Sequence, residues 1–404
     1  PRVQGLAEMM NSYGVIHNDP EVVSKIVASQ AHHKKIDGHA PGLQGKDLDT
    51  YVAAGVYSDH ECATMEDALA KLQRGQFIMI REGTAARNLE ALAPLLTPQY
   101  AERCMFCTDD KHPSDLLEKG HIDYIAREAI NKYGVDPIIA VKAACHHASR
   151  YFLLNNRGAI APGYLADFAV IDNFKDFNVE MVFKKGILYW NNGELRDFEA
   201  PKIEEYLDKR AHDTFHVSTL TPDDFRDTRQ RGVLGMVPGE IITTDNGYAD
   251  HVDLEKDILK IAVVERHKGT HHIGLGYIQG YGLKSGAVAT SISHDSHNII
   301  VVGTNSADMA FAANYIVEHH GGIVVVENGT VKGDVVLEIA GIMSDRPLTE
   351  VNDQLEAAKD AAFTLGVSRG IDPFMTLSFM ALPVIPKLRI TTRGVIDVDT
   401  QQYV

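Results

Sequence analysis

Four side chains of types that hold metal ions stand where short apolar segments run out into loops: Glu8, His39, His60 and Asp109. His39 ends Lys35-Ile36-Asp37-Gly38-His39, His60 ends Gly55-Val56-Tyr57-Ser58-Asp59-His60, and Asp109 ends Met105-Phe106-Cys107-Thr108-Asp109. Glu8 follows Val3-Gln4-Gly5-Leu6-Ala7. In a barrel of alternating strands and helices, catalytic groups project from the carboxyl ends of several different strands. Two carboxylates and two imidazoles so placed form the ligand set of a hard or borderline divalent ion. Such an ion acidifies a water until it can act as a nucleophile, and a carboxylate beside it, Asp109, can take the proton and pass it to a leaving group. A single strand-end histidine is more often a hydrogen-bonded structural residue. It is the four together, in this order, that point to a metal site.

Neighbouring residues extend the candidate site. In Asp59-His60-Glu61, alternation along a strand sends His60 to one side and its neighbours to the other. Asp59 or Glu61 can therefore orient His60 or contact the substrate, with solvated loop charge as the alternative. Glu61 joins Asp109 as a candidate catalytic carboxylate, and Asp59 is a candidate substrate contact. Thr108-Asp109-Asp110 offers two acids, of which Asp109 is nearer the strand. Asp110, a second candidate substrate contact, falls with His112 in the loop above. Ser293-His294-Asp295-Ser296-His297-Asn298 mixes triad residue types, but a triad needs distant residues brought together. It reads as a polar loop that meets a substrate or second metal, with Asp295 as the third candidate contact. His32-His33, His146-His147 and His319-His320 read as helix-end or surface residues.

These side chains need elements to position them, and residues 1–150 alternate strand-like and helical stretches. Asp19-Pro20 opens a helix, a second runs near 46–54, Thr64-Met65-Glu66-Asp67 starts a third that ends at Gly75, and others are expected over 84–95, 114–133 and 137–150. Strands are expected at 35–39, 55–60, 77–80 and 104–108, which gives βαβ units and a parallel sheet. Glu8 precedes His39 by 31 residues and His39 precedes His60 by 21, each about one strand–helix unit. His60 to Asp109 is 49, two units, and the strand at 77–80 fills the gap without offering a ligand. About five strands are present where a (β/α)8 barrel needs eight. Residues 157–195 change to a turn-rich lead and a hairpin, a small β unit. A charged, irregular bridge follows to about 230, and 231–404 reads as a separate α/β domain. The expected division is thus 1–155, 156–200, a linker over 201–230, and 231–404.

At 404 residues, 45% hydrophobic and 23% charged, the chain can build two or three proper cores. The net charge of −16 argues against a nucleic-acid backbone as partner. No apolar run is long enough to span a membrane. Four scattered cysteines do not make a secreted disulfide framework, so a reducing cytoplasm is expected. Cys104 and Cys107 read as buried free thiols rather than a redox or zinc motif. Gly274-Leu275-Gly276 lacks the strand–loop–helix context of a nucleotide fingerprint.

Taken together, Leu6-Ala7-Glu8-Met9-Met10-Asn11, Asp37-Gly38-His39-Ala40-Pro41-Gly42-Leu43, Ser58-Asp59-His60-Glu61, Ile80-Arg81-Glu82-Gly83 and Phe106-Cys107-Thr108-Asp109-Asp110 resemble the bacterial adenine deaminase family of the amidohydrolase superfamily. The resemblance spans nearly the whole chain, including Gly158–Asp172 and the C-terminal part. It implies the C-terminal portion of a metal-dependent (β/α)8 barrel, a small β-sandwich unit, and a C-terminal α/β (α+β) domain. It implies that Glu8 bridges the metals, that His39 and His60 hold the second metal, and that Asp109 is the ligand that shuttles protons. The implied reaction is hydrolytic deamination of adenine to hypoxanthine and ammonia with Mn2+ or Fe2+ in a dinuclear centre, in a cytoplasmic homo-oligomer. The superfamily takes ligands from strands one, four, five, six and eight, and the order here fits four, five, six and eight. Its His-x-His pair does not occur ahead of Glu8, so an upstream segment or a partner chain is expected to supply it. Two other readings stay open: an amidohydrolase acting on a cyclic amide or another aminated heterocycle, and a non-catalytic binding protein.

Overall fold

Local sequence sets the helix Pro20–Ala31 directly. Asp19 accepts hydrogen bonds from the amides of Glu21 and Val22 at 2.9 and 3.2 Å, and Pro20 supplies the fixed φ of the first helical position. The helix Pro20–Ala31 then buries Val22 and Ile26 and leaves its charged face to water. The computed structural model describes residues 3–84, 86–199, 201–237 and 241–404, which divide into two compact units, Pro1–Ala200 and Pro201–Val404.

In the first unit, strands β1 (Gly5–Met9), β2 (Lys35–Gly38), β3 (Ser58–Asp59), β4 (Phe77–Arg81) and β5 (Cys104–Cys107) follow one another, with helices Pro20–Ala31, Gly45–Ala53, Met65–Gln73 and Leu89–Leu92 between them. β1 pairs parallel with β2, and β3, β4 and β5 pair parallel in that order. The amide of Tyr57 donates to the carbonyl of Ile36 at 3.2 Å, linking the edge of β2 to the residue before β3. Ile36, Ile78, Ile80 and Met105 are all but inaccessible, as expected for parallel strands covered by helices.

Three helical stretches differ from expectation, for identifiable reasons. The helix expected over 84–95 is only Leu89–Leu92 with a 3-10 turn at Ala93–Leu95. Upstream, Thr84 donates its amide to Asp110 and Asn88 donates to Arg81, so these residues serve the loops. The stretch 114–133 splits into Pro113–Glu118 and Ile122–Asn131 at Gly120, whose φ of +106° no helix accommodates. The last, 137–150, passes through a π-helical turn at Lys142–His146, and His147 falls on the buried face with Ala140, Ala143 and Tyr151. His147 is therefore buried, not a cap or surface residue, and its Nδ1 lies 2.8 Å from the Cys104 carbonyl oxygen. The expected strand over 55–60 pairs only at Ser58–Asp59. Cys62 and Cys104 are buried and Cys107 is half-buried, all as free thiols, and burial pushes Cys104 up to about 12. An antiparallel sheet of β6 (Phe168–Ile171), β7 (Val179–Lys184), β8 (Ile187–Asn191) and β9 (Glu194–Leu195) completes this unit.

The second unit centres on eight strands: β10 (Arg231–Met236), β11 (Thr243–Ala249), β12 (Ile258–Val264), β13 (Ile273–Gln279), β14 (Ala287–Thr290), β15 (Ile299–Gly303), β16 (Gly322–Glu327) and β17 (Thr330–Val336). Their order is β11-β10-β13-β12-β15-β14-β16-β17, antiparallel except for the β10–β13 pair. Helix Ser306–Glu318 lays Met309, Ala313 and Ile316 on Ala289, Val301 and Val324. A small sheet of β18 (Leu388–Thr391), β19 (Gly394–Asp397) and β20 (Gln402–Tyr403) is also present. Residues 201–230, expected as an irregular bridge, include helix Glu205–His212 and a turn at Pro222–Phe225. Phe225 is fully buried in the core of this unit, which ties the segment to it. Among the described residues, no helix is long and apolar enough to cross a membrane.

Candidate metal centre

The carboxyl ends of β1, β2 and β3 are held in register by buried polar side chains. The Tyr51 hydroxyl donates to the Met9 carbonyl at 2.5 Å and accepts from the His39 amide at 3.0 Å, joining the ends of β1 and β2. Gly38 allows β2 and β3 to close, because a Cβ there would stand 2.2 Å from the Ser58 carbonyl oxygen. Asp59 is fully buried and accepts from the amides of Ala40 and Glu61 at 2.8 and 3.1 Å and from Lys71 Nζ at 2.9 Å. Those donors occupy the carboxylate that the sequence offered as a substrate contact.

On this frame Glu8, His39 and His60 converge, their nearest ligand atoms all within 4.8 Å of one another. His60 Nε2 lies 2.9 Å from Glu8 Oε2, and His39 Nδ1 lies 3.8 Å from Glu8 Oε1. His60, Glu61 and Asp109 form a second, overlapping group of the same span. Glu61 Oε1 stands 3.3 Å from His60 Nε2 and 3.5 Å from His39 Nδ1, and Asp109 Oδ2 is 3.9 Å from His60 Nε2. Glu8 lies within β1, His39 and His60 immediately follow β2 and β3, and Asp109 lies two residues past β5 with φ +55°.

The β4 strand contributes after all. Its last residue, Arg81, donates to Glu61 and, at 2.5 Å, to Asp109 Oδ2. Burial opposes ionisation of Asp109, but the Arg81 guanidinium and His60 together hold its carboxyl below the usual range. The type of Arg81 does not single it out in the sequence, because a cation is no metal ligand. Its position at the end of β4 was the available signal. Asp110 is half-buried, and its carbonyl accepts from the Thr84 amide at 2.9 Å. Asp295 belongs to the second unit, exposed on the 293–298 loop, with His294 Nδ1 at 3.3 Å and the His294 ring stacked on Phe379 at 4.7 Å. Also in that unit, His271 lies between Ser218 Oγ at 3.0 Å and Asp224 Oδ1 at 3.1 Å. These surface hydrogen bonds pin the turn before β13 to the Pro222–Phe225 turn.

The sequence of this chain matches the amidohydrolase family over residues 4–188 and the adenine deaminase C-terminal domain over residues 240–402. Adenine deaminase of Desulfatibacillum aliphaticivorans is 45% identical over 412 residues, 100% of this chain and 72% of that protein. Adenine deaminases of Nitratidesulfovibrio vulgaris (strain DP4) and Kosmotoga olearia are each 43% identical, over 100% of this chain and 71% of theirs. The chain belongs to the adenine deaminase family. Among solved structures, β-aspartyl dipeptidase from Fervidobacterium islandicum AW-1 matches at a TM-score of 0.37 and 17% identity, covering 46% of this chain and 54% of that one.

All five converging residues of this adenine deaminase family member fall within its amidohydrolase match. That family of C–N hydrolases is generally metal-dependent, and the residues here fit a cation. His39 is buried with neither ring nitrogen hydrogen-bonded, an arrangement that leaves a donor or acceptor unsatisfied unless an ion takes it. Burial works against an imidazolium at His60, yet the Glu8 hydrogen bond and the Glu8, Glu61 and Asp109 charges raise it to about 9. The cluster draws positive charge, by a proton or by a metal.

Proposed function

We propose that this protein catalyses the hydrolytic deamination of adenine to hypoxanthine and ammonia. Divalent metal, Mn2+ or Fe2+, would be held by Glu8, His39, His60 and Asp109, with Glu61 as a catalytic carboxylate beside them. The centre would be dinuclear once a His-x-His pair from an upstream segment or partner chain joins it. Residues 1–155 are read as the C-terminal portion of a (β/α)8 barrel, 156–200 as a small β-sandwich segment, and 231–404 as the family's C-terminal domain. Parallel strands in chain order, each followed by a helix, support the barrel reading. The setting is a cytoplasmic homo-oligomer in nucleobase salvage.

The single observation that carries this reading is the convergence of Glu8, His39 and His60 from three successive strand ends in a chain of this family. The ion supplies Lewis acidity and lowers the pKa of a water. Overall, a water oxygen bonds to the ring carbon bearing the amino group, and the carbon–nitrogen bond breaks. Asp109 takes the water's proton and returns it to the departing nitrogen. Arg81 keeps Asp109 ionised and oriented so that it can accept, and it fixes Glu61 beside both imidazoles. Asp110 is proposed to contact the base.

Ammonia release from adenine by a full-length, Mn2+-loaded preparation carrying the His-x-His segment tests the proposal, with a chelated sample and a guanine and hydantoin panel alongside. The expected result is metal-dependent ammonia from adenine. No release above the chelated control overturns it, and turnover of a hydantoin in its place changes the substrate.

A further inference from the structure

Lys71 lies on the helix Met65–Gln73, and its side chain is wholly inaccessible. Its ammonium donates to the Ala40 carbonyl at 2.7 Å, to Asp59 Oδ2 at 2.9 Å and to Asp67 Oδ2 at 3.0 Å, so all three protons are used. Asp59 in turn accepts from the Ala40 amide on Oδ1, and from the Glu61 amide and the Cys62 thiol on Oδ2. Ala40 follows His39 in the chain, and Glu61 follows His60. One buried ammonium–carboxylate pair therefore grips the peptide groups just past both imidazoles. Ala40 is held on two sides, its amide by Asp59 and its carbonyl by Lys71.

Burying such a pair carries a desolvation cost that its own attraction only partly offsets, and well-packed apolar residues often serve stability as well or better. What apolar residues cannot do is fix two strand ends through directed hydrogen bonds. We propose that Lys71 and Asp59 form a strut that sets the spacing of His39 and His60 and thereby the metal affinity of the centre. Both are positioning residues, since neither reaches the cluster itself. The proposal rests on the metal-centre reading above. Asp67 is the internal control: it holds Lys71 from its own helix and bonds neither the Ala40 nor the Glu61 peptide group.

The test is titration of the metal-free protein with Mn2+ alone, in competition with a chromophoric chelator, with the melting temperature recorded for each variant. Lys71→Met is expected to weaken Mn2+ binding about 10–100-fold, the usual effect of removing groups that orient metal ligands, with unchanged stoichiometry at saturation. Asp67→Asn is expected to stay within about twofold of the unsubstituted protein, even where it lowers the melting temperature. If Lys71→Met does not fold, Asp59→Asn/Lys71→Met removes the Lys71–Asp59 pair together and carries the same expectation. A folded Lys71→Met or double variant with unchanged affinity overturns the strut, as do equal losses in Asp67→Asn. If the unsubstituted protein binds no Mn2+, the metal-centre reading fails and takes the strut with it.

Discussion

Glu265, just past β12 in the second unit, and the carboxylates at the carboxyl ends of β1, β3 and β5 in the first are all strand-end acids, but they are satisfied in opposite ways. Glu265 accepts from the amides of His267, Lys268 and Thr270 at 2.6, 2.9 and 3.1 Å and from the Thr270 hydroxyl at 2.9 Å. The loop it closes has supplied every donor it needs. Glu8, Glu61 and Asp109 face instead two imidazoles and one guanidinium, and His39 stands among them with no hydrogen bond on either nitrogen. A carboxylate saturated by its own backbone is structural and finished. Carboxylates gathered on imidazoles, with donors to spare on neither side, are arranged for a cation from outside.

The largest effect that would test this contrast is at Asp109. Asp109→Asn keeps the size and one acceptor but cannot carry a proton, and kcat for adenine should fall about 10²- to 10⁴-fold, the usual range for lost acid–base catalysis. Steady-state ammonia release measures it, with far-ultraviolet circular dichroism to show the fold is kept. A variant with full activity would remove Asp109 from the proton path.

The converse substitution belongs to the second unit. Ile316 packs the helix Ser306–Glu318 against the eight-stranded sheet and is almost inaccessible. Ile316→Ala should cost about 2–5 kcal/mol of that unit's stability through lost burial and the cavity left behind. Chemical denaturation reads the loss, while Mn2+ stoichiometry should not change. If metal binding fell in step with stability, the division of labour between the units would be wrong.

How much of this was legible in the sequence follows the same division. Strand-end acids and histidines recur at the period of a βα unit, so Glu8, His39, His60 and Asp109 could be picked out as a set, and apolar runs such as Ile299–Gly303 announced the second unit's strands. Partner choice could not be read. Lys71 and Asp67, four apart on a helix, look like any solvated pair, and only the fold shows that both are buried beneath two strand ends. Arg81 ended a strand that seemed to skip its turn. The π-helical turn at Lys142–His146 and the burial of Phe225 depend on tertiary packing, which overrides local pattern.

Arg81 offers a smaller and sharper test of how the first unit's carboxylates are held. Arg81→Met keeps much of the apolar stem and removes the fork that joins Glu61 to Asp109. Activity should drop about 10–100-fold, less than for Asp109→Asn, because the acids remain and only their placement and charge compensation are lost. Equal losses in the two variants would give Arg81 a direct part in the reaction.

The smallest effect is at Glu265 and depends on pH. Burial favours its protonated form, but the Thr270, His267 and Lys268 hydrogen bonds outweigh it and bring the carboxyl from 4.5 to about 2. Because the folded value lies below the unfolded one, the stabilisation is complete above about pH 5 and disappears as pH falls towards 2. Glu265→Gln should therefore be less stable than the parent by about 1–2 kcal/mol at pH 7, allowing for partial solvent screening, and the two should converge under acid. Denaturation midpoints of the second unit between pH 7 and pH 3 give the measurement. A gap that stays constant over that range would mean that packing, not the charged hydrogen bonds, fixes the 265–272 loop. In that case Glu265 would no longer represent a strand-end carboxylate satisfied by its own backbone, and the contrast with Glu8 would need another example.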